Sequence, residues 1–263
     1  MNVSVLASSS SGNATLVATG RTRLLIDAGL SRKETFERLA AAGCEPASLT
    51  AILITHEHTD HVAGLCAIAK KLDIPLYISR LTAPAVLSSE AWGDFTPKLE
   101  LFQAGSGFTI GDIDVTSFTI PHDAVDPVGF SLRAEGIKVS IATDLGYLPE
   151  SVRFQLRGSD ILLLESNHDL DMLKVGPYPW AVKQRVMGRM GHLSNDVACG
   201  FLRGDPDVRP STLILGHLSE HNNHPAIVRL AAEQALDKGM GRWRLFTKLV
   251  VFEPGQAQES FSY

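Results

Sequence analysis

Four side chains that commonly bind metal ions lie within six residues of this sequence: His56, His58, Asp60 and His61. Neutral imidazole suits Zn²⁺ and other transition metals, and a carboxylate adds charge and a harder oxygen donor. His56 and His58 can converge on one ion if the loop is extended, whereas the adjacent Asp60 and His61 suit a second ion. A surface loop that is rich in histidine by chance is the alternative, but such ligand clusters are rare outside metal sites. The spacing therefore predicts a site for two metal ions.

A short apolar strand should deliver this cluster. Residues 51–54 are rich in isoleucine and leucine and follow a polar segment, which predicts a buried strand with the ligands on the loop at its C-terminal end. Other predicted strands also end in polar residues. They cover residues 113–120, 137–142, 161–164 and 213–215, and they lead to His122, Asp144, a cluster from Glu165 to Asp169, and His217. Several strand ends that each deliver a donor predict a site at one edge of a sheet.

The rest of the chain alternates strands with helices. Further strands are expected over residues 3–7, 14–18, 23–26, 75–78, 108–110 and 128–132. A capping box at Ser31 and Glu34 begins a helix that Gly43 ends, and residues 62–72 form a second helix. This alternation predicts a layered α/β fold.

Composition places the chain among ordinary globular proteins. Its 263 residues are 44% hydrophobic, no apolar run is long enough to span a membrane, and the first residues do not resemble a secretion signal. We therefore expect a soluble, cytoplasmic protein without membrane contact. The three cysteines form no CxxC pair, which argues against a disulfide framework or a thiolate zinc site.

Charge is uneven along the chain. The net charge is −5, so no global basic field indicates nucleic-acid binding. Residues 172–195, however, contain no Asp or Glu and carry Lys174, Lys183, Arg185 and Arg189. This basic segment could meet an anionic substrate, or it could be a solvated helix face.

Two other features leave alternatives open. The serines from Ser8 to Ser11 have no base at a recognisable spacing, so we favour a tight turn over a nucleophile, with phosphate contact as a second possibility. Tyr178 and Trp180 are flanked by prolines, which favours packing over base stacking.

The HxHxDH pattern, with Asp27, His122, Asp144 and His217 in this order, resembles the metallo-β-lactamase superfamily. The resemblance implies a four-layer αββα sandwich, here one domain over residues 1–263, with a hydrolytic metal centre at one edge. It implies that Asp27 supports the metal loop without binding metal. The resemblance implies that His56, His58 and His122 bind one ion, that Asp60, His61 and His217 bind the other, and that Asp144 bridges both.

Motifs in the second half of the chain indicate a smaller group within this superfamily. The clusters at residues 165–169, 178–180, 191–195 and 217–223 are similar to those of the YycJ/WalJ group of nucleases, which implies 5′-to-3′ exonuclease activity on DNA. Relatives of the tRNase Z type carry a Gly-His-Ser-Thr loop whose histidine helps to bind or protonate the scissile phosphate. Here Leu193 interrupts that loop between His192 and Ser194.

The predicted reaction is hydrolysis by water activated between two divalent ions, Zn²⁺ or Mn²⁺. Asp60 or Asp144 would orient the nucleophile, and His168 and His192 would donate protons to the phosphate or the leaving group. The predicted substrate contacts are Asn167, His168, Lys183, His192 and Ser194, although Ser194 also suits the start of a helix. An RNA-processing nuclease, a hydrolase of small esters, thioesters or cyclic phosphodiesters, and a non-catalytic binding module remain as alternatives. The sequence leaves the oligomeric state open.

Overall fold

The computed structural model describes residues 1–239, 245–253 and 260–262. Within these residues, fourteen strands form two seven-stranded sheets. The first sheet contains, in spatial order, β14 (Ser260–Ser262), β1 (Asn2–Ser9), β2 (Gly12–Ala18), β3 (Arg23–Ile26), β4 (Ala51–Leu53), β5 (Leu76–Ser79) and β6 (Leu99–Phe102). The second contains β13 (Lys248–Val251), β12 (Thr212–Gly216), β11 (Ile161–Glu165), β10 (Ile137–Ala142), β9 (Val128–Ala134), β8 (Ile113–Thr119) and β7 (Gly107–Ile110).

Helices cover the outer faces of both sheets. In chain order they are α1 (Arg32–Ala41), α2 (Thr59–Val62), α3 (Leu65–Leu72), α4 (Thr82–Leu87), α5 (Glu150–Leu156), α6 (Leu170–Val175), α7 (Trp180–Met187), α8 (Asn195–Gly204) and α9 (Pro225–Gly239). None of the helices in the described part of the chain has the length and the apolar character that a membrane span requires.

Three apolar clusters define the layers. One lies between the sheets, where Val17 and Leu24 share a cluster with Phe130 and Val139. A second joins the first sheet to α1 and α3 through residues such as Leu39 and Ile68. The third joins the second sheet to helices α5, α8 and α9. The predicted α/β fold with αββα layers is therefore confirmed.

The direction of the strands explains why the ligand-bearing segments lie together. β3 to β6 run parallel in the first sheet, and β10 to β13 run parallel in the second. Parallel strands present their carboxyl ends at one edge of a sheet, so the segments that follow β4, β10, β11 and β12 can meet there.

The predicted helix over residues 62–72 is wrong in detail. Two helices, α2 and α3, stand in its place, and Gly64 separates them by donating its N–H to the carbonyl of Ala28 at 2.8 Å. A Cβ on Gly64 would lie 1.9 Å from the carbonyl oxygen of Leu30, so only glycine permits this approach. Asp60 and His61 consequently lie on a one-turn helix and not on a loop.

Candidate metal centre

The seven predicted ligands converge at the edge where the parallel strands end. Two neighbouring donor sets hold them: His56, His58 and His122 in the first, and Asp60, His61, Asp144 and His217 in the second. Within each set the donor atoms lie within 4.8 Å of one another. Such spacing matches donors gathered around a common ion, since metal–nitrogen and metal–oxygen bonds are about 2.0–2.2 Å long.

The first set combines two strand ends from different sheets. His56 and His58 follow β4, and His122 follows β8. Nε2 of His122 lies 3.2 Å from Nδ1 of His58, and the ring centroid of His56 lies 5.1 Å from that of His122. The first donor set therefore exists only where the two sheets meet.

The second set is centred on carboxylates. Oδ2 of Asp60 lies 3.5 Å from Nε2 of His61 and 3.6 Å from Nε2 of His217. Asp144 reaches both donor sets, since its Oδ1 lies 3.5 Å from Nε2 of His217 and 4.0 Å from Nε2 of His122. This position between the sets is the one expected of a bridging carboxylate.

Three residues of the centre have φ angles in the left-handed region. Asp27, Asp144 and His217 have φ values of 61°, 61° and 56°. Non-glycine residues adopt this region at a cost of about 1–3 kcal/mol, and they retain it where the surroundings impose it. Backbone strain therefore occurs at the residues whose carboxylate or imidazole groups are directed into the centre.

Asp27 supports the second set, as the sequence predicted. It is buried, and its Oδ2 accepts a hydrogen bond from Nδ1 of His61 at 2.8 Å. Its Oδ1 accepts from the backbone N–H of Thr55 at 2.9 Å, which fixes the start of the metal loop. These bonds hold the His61 ring with Nε2 directed at Asp60 and Asp144.

Several atoms of the centre fit a metal ion and lack any other partner. Nε2 of His56, Nε2 of His217 and Oδ2 of Asp144 are buried and have no hydrogen-bond partner within the described residues. Buried polar atoms in folded proteins are nearly always satisfied. Because these atoms belong to both donor sets, their lack of partners supports cations at both.

Glu165 is a functional residue that the sequence analysis did not assign. It is fully buried at the end of β11, and its Oε1 accepts hydrogen bonds from Nδ1 of His192 and Nδ1 of His217, both at 2.8 Å. Its Oε2 accepts from the backbone N–H groups of Leu145 and Leu193 at 3.0 Å each. Burial disfavours its charge, but the charges of His192 and His217 and their hydrogen bonds to Glu165 lower the pKa of Glu165 to about 2. Glu165 is therefore an anion that orients two histidines.

His192 lies at the open side of the centre. Its side chain is 23% exposed, and its ring centroid is 5.2 Å from that of His122 and 5.3 Å from that of His217. Burial opposes its charge, but Glu165 raises the pKa of His192 above its usual value. An imidazole that keeps its second proton near neutral pH can donate it to an anionic substrate.

The other predicted substrate contacts form the scaffold of the centre. The Nδ2 group of Asn167 donates to the carbonyl of His217 at 2.9 Å, and Ser194 caps α8 by accepting from the N–H of Val197. Lys183 is buried, and its Nζ donates to the carbonyl of Lys174 at the end of α6. The structure does not bring Lys183 to the metal ligands, because its ammonium group is engaged by that helix end.

His168 is also placed differently from the prediction. Its ring is almost completely buried, and burial lowers the pKa of His168 to about 4. A neutral, enclosed imidazole is a poor proton donor at neutral pH. With its partly exposed ring, His192 is therefore more accessible than His168 from outside the centre.

Asn13 is a second residue that the sequence analysis did not assign. Its Nδ2 lies 3.2 Å from Oδ2 of Asp60 and 3.0 Å from Nε2 of His61. Ser10 and Ser11 form a tight turn, as expected, and the carbonyl and Oγ of Ser8, near the end of β1, both accept from the N–H of His217. The end of β1 and the start of β2 therefore support two ligand-bearing segments.

Comparison with known proteins adds four findings. Residues 22–218 match the profile of the β-lactamase superfamily domain. The exodeoxyribonuclease YycJ of Bacillus anthracis is 36% identical over 92% of this chain and 91% of its own. The exodeoxyribonuclease WalJ of Streptococcus pneumoniae is 37% identical over 90% of both chains. The crystal structure of Zn²⁺-bound PqqB from Methylobacterium extorquens matches 100% of both chains with a TM-score of 0.74 and 17% identity, which is a likeness of fold.

Proposed function

Because this chain belongs to the β-lactamase superfamily, we propose that it is a dinuclear metal-dependent phosphodiesterase that degrades DNA from the 5′ end. The observation that carries the proposal is the convergence of seven donors in two sets that meet at Asp144. The identity of 36–37% to two exodeoxyribonucleases, over nine-tenths of the chain or more, supports DNA as the substrate. Imidazole and carboxylate donors suit Zn²⁺ and Mn²⁺ alike.

Divalent ions at such donors generate a nucleophile from water near neutral pH and neutralise charge on phosphoryl oxygens. The chain supplies the geometry. Asp60 and Asp144 present carboxylate oxygens between the histidines of the second set, where they can orient the attacking water. The buried carboxylate of Asp27 keeps the His61 ring in one orientation.

His192 supplies the proton in this proposal. Its Nδ1 is engaged by Glu165, which leaves Nε2 as the nitrogen that can donate to a phosphate oxygen or to the leaving alkoxide. The raised pKa of His192 favours the protonated ring, and the anion of Glu165 stabilises it. His192 and Glu165 thus form a pair in which one residue contacts the substrate and the other positions it.

Degradation of end-labelled linear DNA tests this proposal. Duplexes labelled at either end, with or without a 5′ phosphate, are incubated with Mn²⁺, Zn²⁺ or a chelator. We expect metal-dependent, stepwise release of the 5′ label. We also expect Asp144→Asn to lower the rate at least about 100-fold, since loss of groups that merely support a metal site already costs 10–100-fold. The exposed Asp94→Asn is the matched control and should cleave like the wild type.

Two results would overturn the proposal. The first is a wild-type protein that contains metal but cleaves no DNA end, while it hydrolyses RNA or a small ester. The second is cleavage that survives in Asp144→Asn at the wild-type rate.

A further inference from the structure

The residues between β11 and His192 contain a helical segment, residues 170–191, called the arm below. The arm contains α6, α7 and the segment that ends at Gly191. Much of its surface is exposed, including large apolar side chains that soluble proteins usually bury. Trp180 is 63% exposed, and Val175, Val182 and Met190 are also exposed.

One end of the arm lies against two of the segments that carry candidate metal ligands. Nδ1 of His122 donates to the carbonyl of Gly191 at 3.2 Å, and Arg185 pairs with Asp123 at 2.6 Å. The guanidinium of Arg189 lies 4.3 Å from the ring centroid of Tyr147, three residues after Asp144. These contacts place one side of the arm along the rim of the candidate centre.

The other end of the arm contacts the segment after His217. The ring of Tyr178 packs edge to face with that of His221 at a centroid distance of 5.9 Å. Gly176 lies so close to Asn222 that an added Cβ would be 2.3 Å from Oδ1 of that residue. Tyr178 is therefore a packing residue, as the sequence indicated, whereas its neighbour Trp180 faces solvent.

Charge distinguishes the arm from the rest of the protein. It carries four basic and one acidic side chain, a net charge of +3, in a chain whose net charge is −5. Lys183 is buried within the arm, whereas Arg185 and Arg189 are exposed on the side that contacts the ligand segments, Arg185 in its pair with Asp123. Exposed arginines and an exposed aromatic ring in one segment are the features with which proteins hold single-stranded nucleic acid.

We propose that the arm binds an unpaired stretch of the DNA substrate beside the candidate centre, with a base stacked on Trp180 and phosphates near Arg185 and Arg189. This inference rests on the proposed nuclease function and adds a preference for single-stranded ends. A base within a duplex is already stacked on its neighbours, so the indole favours a strand that has left the helix. The positive charge of the arm favours this occupant over a second copy of the acidic chain.

Binding measured without cleavage tests the proposal. Anisotropy of the metal-loaded protein with phosphorothioate DNA, which resists cleavage, gives the Kd for a blunt duplex and for the same duplex with a 5′ single-stranded tail of about ten nucleotides, which lies within known single-strand site sizes. We expect Trp180→Ala to weaken binding of the tailed DNA by roughly 5- to 100-fold, the fold-change equivalent to stacking of one base. Trp180→Phe should retain most of the affinity, because the phenyl ring also stacks.

Two further readouts separate stacking from a structural effect. Unlabelled tailed DNA should quench the tryptophan emission of the wild type, and the quenching should be largely lost in Trp180→Phe, which still binds. Phe154→Ala removes an aromatic side chain that is 67% exposed outside the arm, so it is the matched control and should leave the Kd unchanged.

Equal affinity of the wild type and Trp180→Ala for tailed DNA would overturn the inference, as would a change in oligomeric state with no change in DNA binding. The proposed function can fail separately. If the wild type degrades DNA and Trp180→Ala behaves identically, only the proposed role of the arm is refuted. If the metal-loaded wild type neither binds nor cleaves DNA, the nuclease function is refuted.

Discussion

At the scale of single residues, Glu165 orients two histidines of the candidate centre. One carboxylate oxygen accepts from two imidazoles, and the other accepts from two backbone N–H groups. The first pair of bonds sets the ring orientation of His192 and His217, and the second fixes the carboxylate itself. A neutral amide cannot reproduce this pattern, because its nitrogen donates hydrogen bonds and does not accept them.

Glu165→Gln should therefore weaken metal binding more than it weakens folding. We expect the metal affinity to fall about 10- to 100-fold, the usual effect of removing a group that orients a metal-binding histidine. Titration with Mn²⁺ followed by calorimetry measures this affinity. Glu90→Gln, a change at an exposed glutamate, is the matched control, and equal affinities of the two variants would contradict this role of Glu165.

The protonation of His217 predicts how metal binding depends on pH. Burial opposes its charge, but Asp144, Asp60 and Glu165 raise the pKa of His217 in the metal-free protein to about 10. Below that pH the ring holds a proton that a metal ion must displace, so the apparent affinity should rise between about pH 6 and pH 9. The raised pKa of His61 adds to this effect.

Calorimetric titrations with metal in two buffers of different ionisation enthalpy count the released protons. We expect at least one proton per chain near neutral pH, and the same number for His224→Gln, which changes an exposed histidine outside the two donor sets. Binding that releases no proton and does not vary with pH would contradict this expectation.

Single residues also show where sequence reasoning reached its limit. The four ligands from His56 to His61 follow from their types and spacing, because a histidine and carboxylate cluster after a buried strand has few other uses. His122, Asp144 and His217 were assigned as ligands through the resemblance to the superfamily. Glu165 and Asn13 carry no such signal. Each acts on a residue that is 47 or more positions away in the chain, and only the folded contacts reveal the partner.

At the scale of elements, the second donor set depends on close packing between the turn after β3 and helix α2. The N–H of Ala28 donates to the carbonyl of His61 at 2.8 Å, and the N–H of Gly29 donates to the carbonyl of Asn13 at 2.9 Å. A Cβ on Gly29 would lie 1.7 Å from the carbonyl oxygen of Asp60. The turn after β3 and the helix α2 can therefore pack together only if residue 29 is glycine.

Gly29→Ala should separate these elements. We expect a loss of about 3 kcal/mol or more in the free energy of unfolding, at or beyond the upper end of the range for overpacking, because the obstructing atom belongs to the backbone. Urea denaturation measures it. Gly20→Ala is the matched control, because no atom lies within 4 Å of its added Cβ, and it should change stability by less than about 0.5 kcal/mol.

If the two glycine variants unfolded at the same urea concentration, the close packing between the turn and α2 would not matter for stability. The division between α2 and α3 has the same origin at Gly64. Hydrophobic spacing alone predicted one continuous helix, since periodicity records which face is buried and does not record where a neighbouring backbone must pass.

At the scale of the whole molecule, the two sheets assemble the candidate centre jointly. β4 of the first sheet leads to four of the donors, and β8, β10 and β12 of the second lead to His122, Asp144 and His217. The apolar cluster between the sheets fixes their relative position. Both donor sets therefore form only when the two sheets pack together.

Ligand types at strand ends predicted a metal site at one edge of a sheet, and the alternation of strands and helices predicted a layered α/β fold. The αββα layers and the full set of seven ligands were implied only by the resemblance to the superfamily. The sequence could not predict that Lys183 and His168 are buried, since their exposure depends on how α6, α7 and α8 pack. The edge strands β6, β13 and β14 were also missed.

Anomalous diffraction from crystals of the wild-type protein grown with Mn²⁺ would locate bound metal ions. We expect two metal peaks in each chain, one among His56, His58 and His122 and the other among Asp60, His61 and His217, with Asp144 between them. A single peak, or peaks that lie away from Asp144, would contradict this expectation.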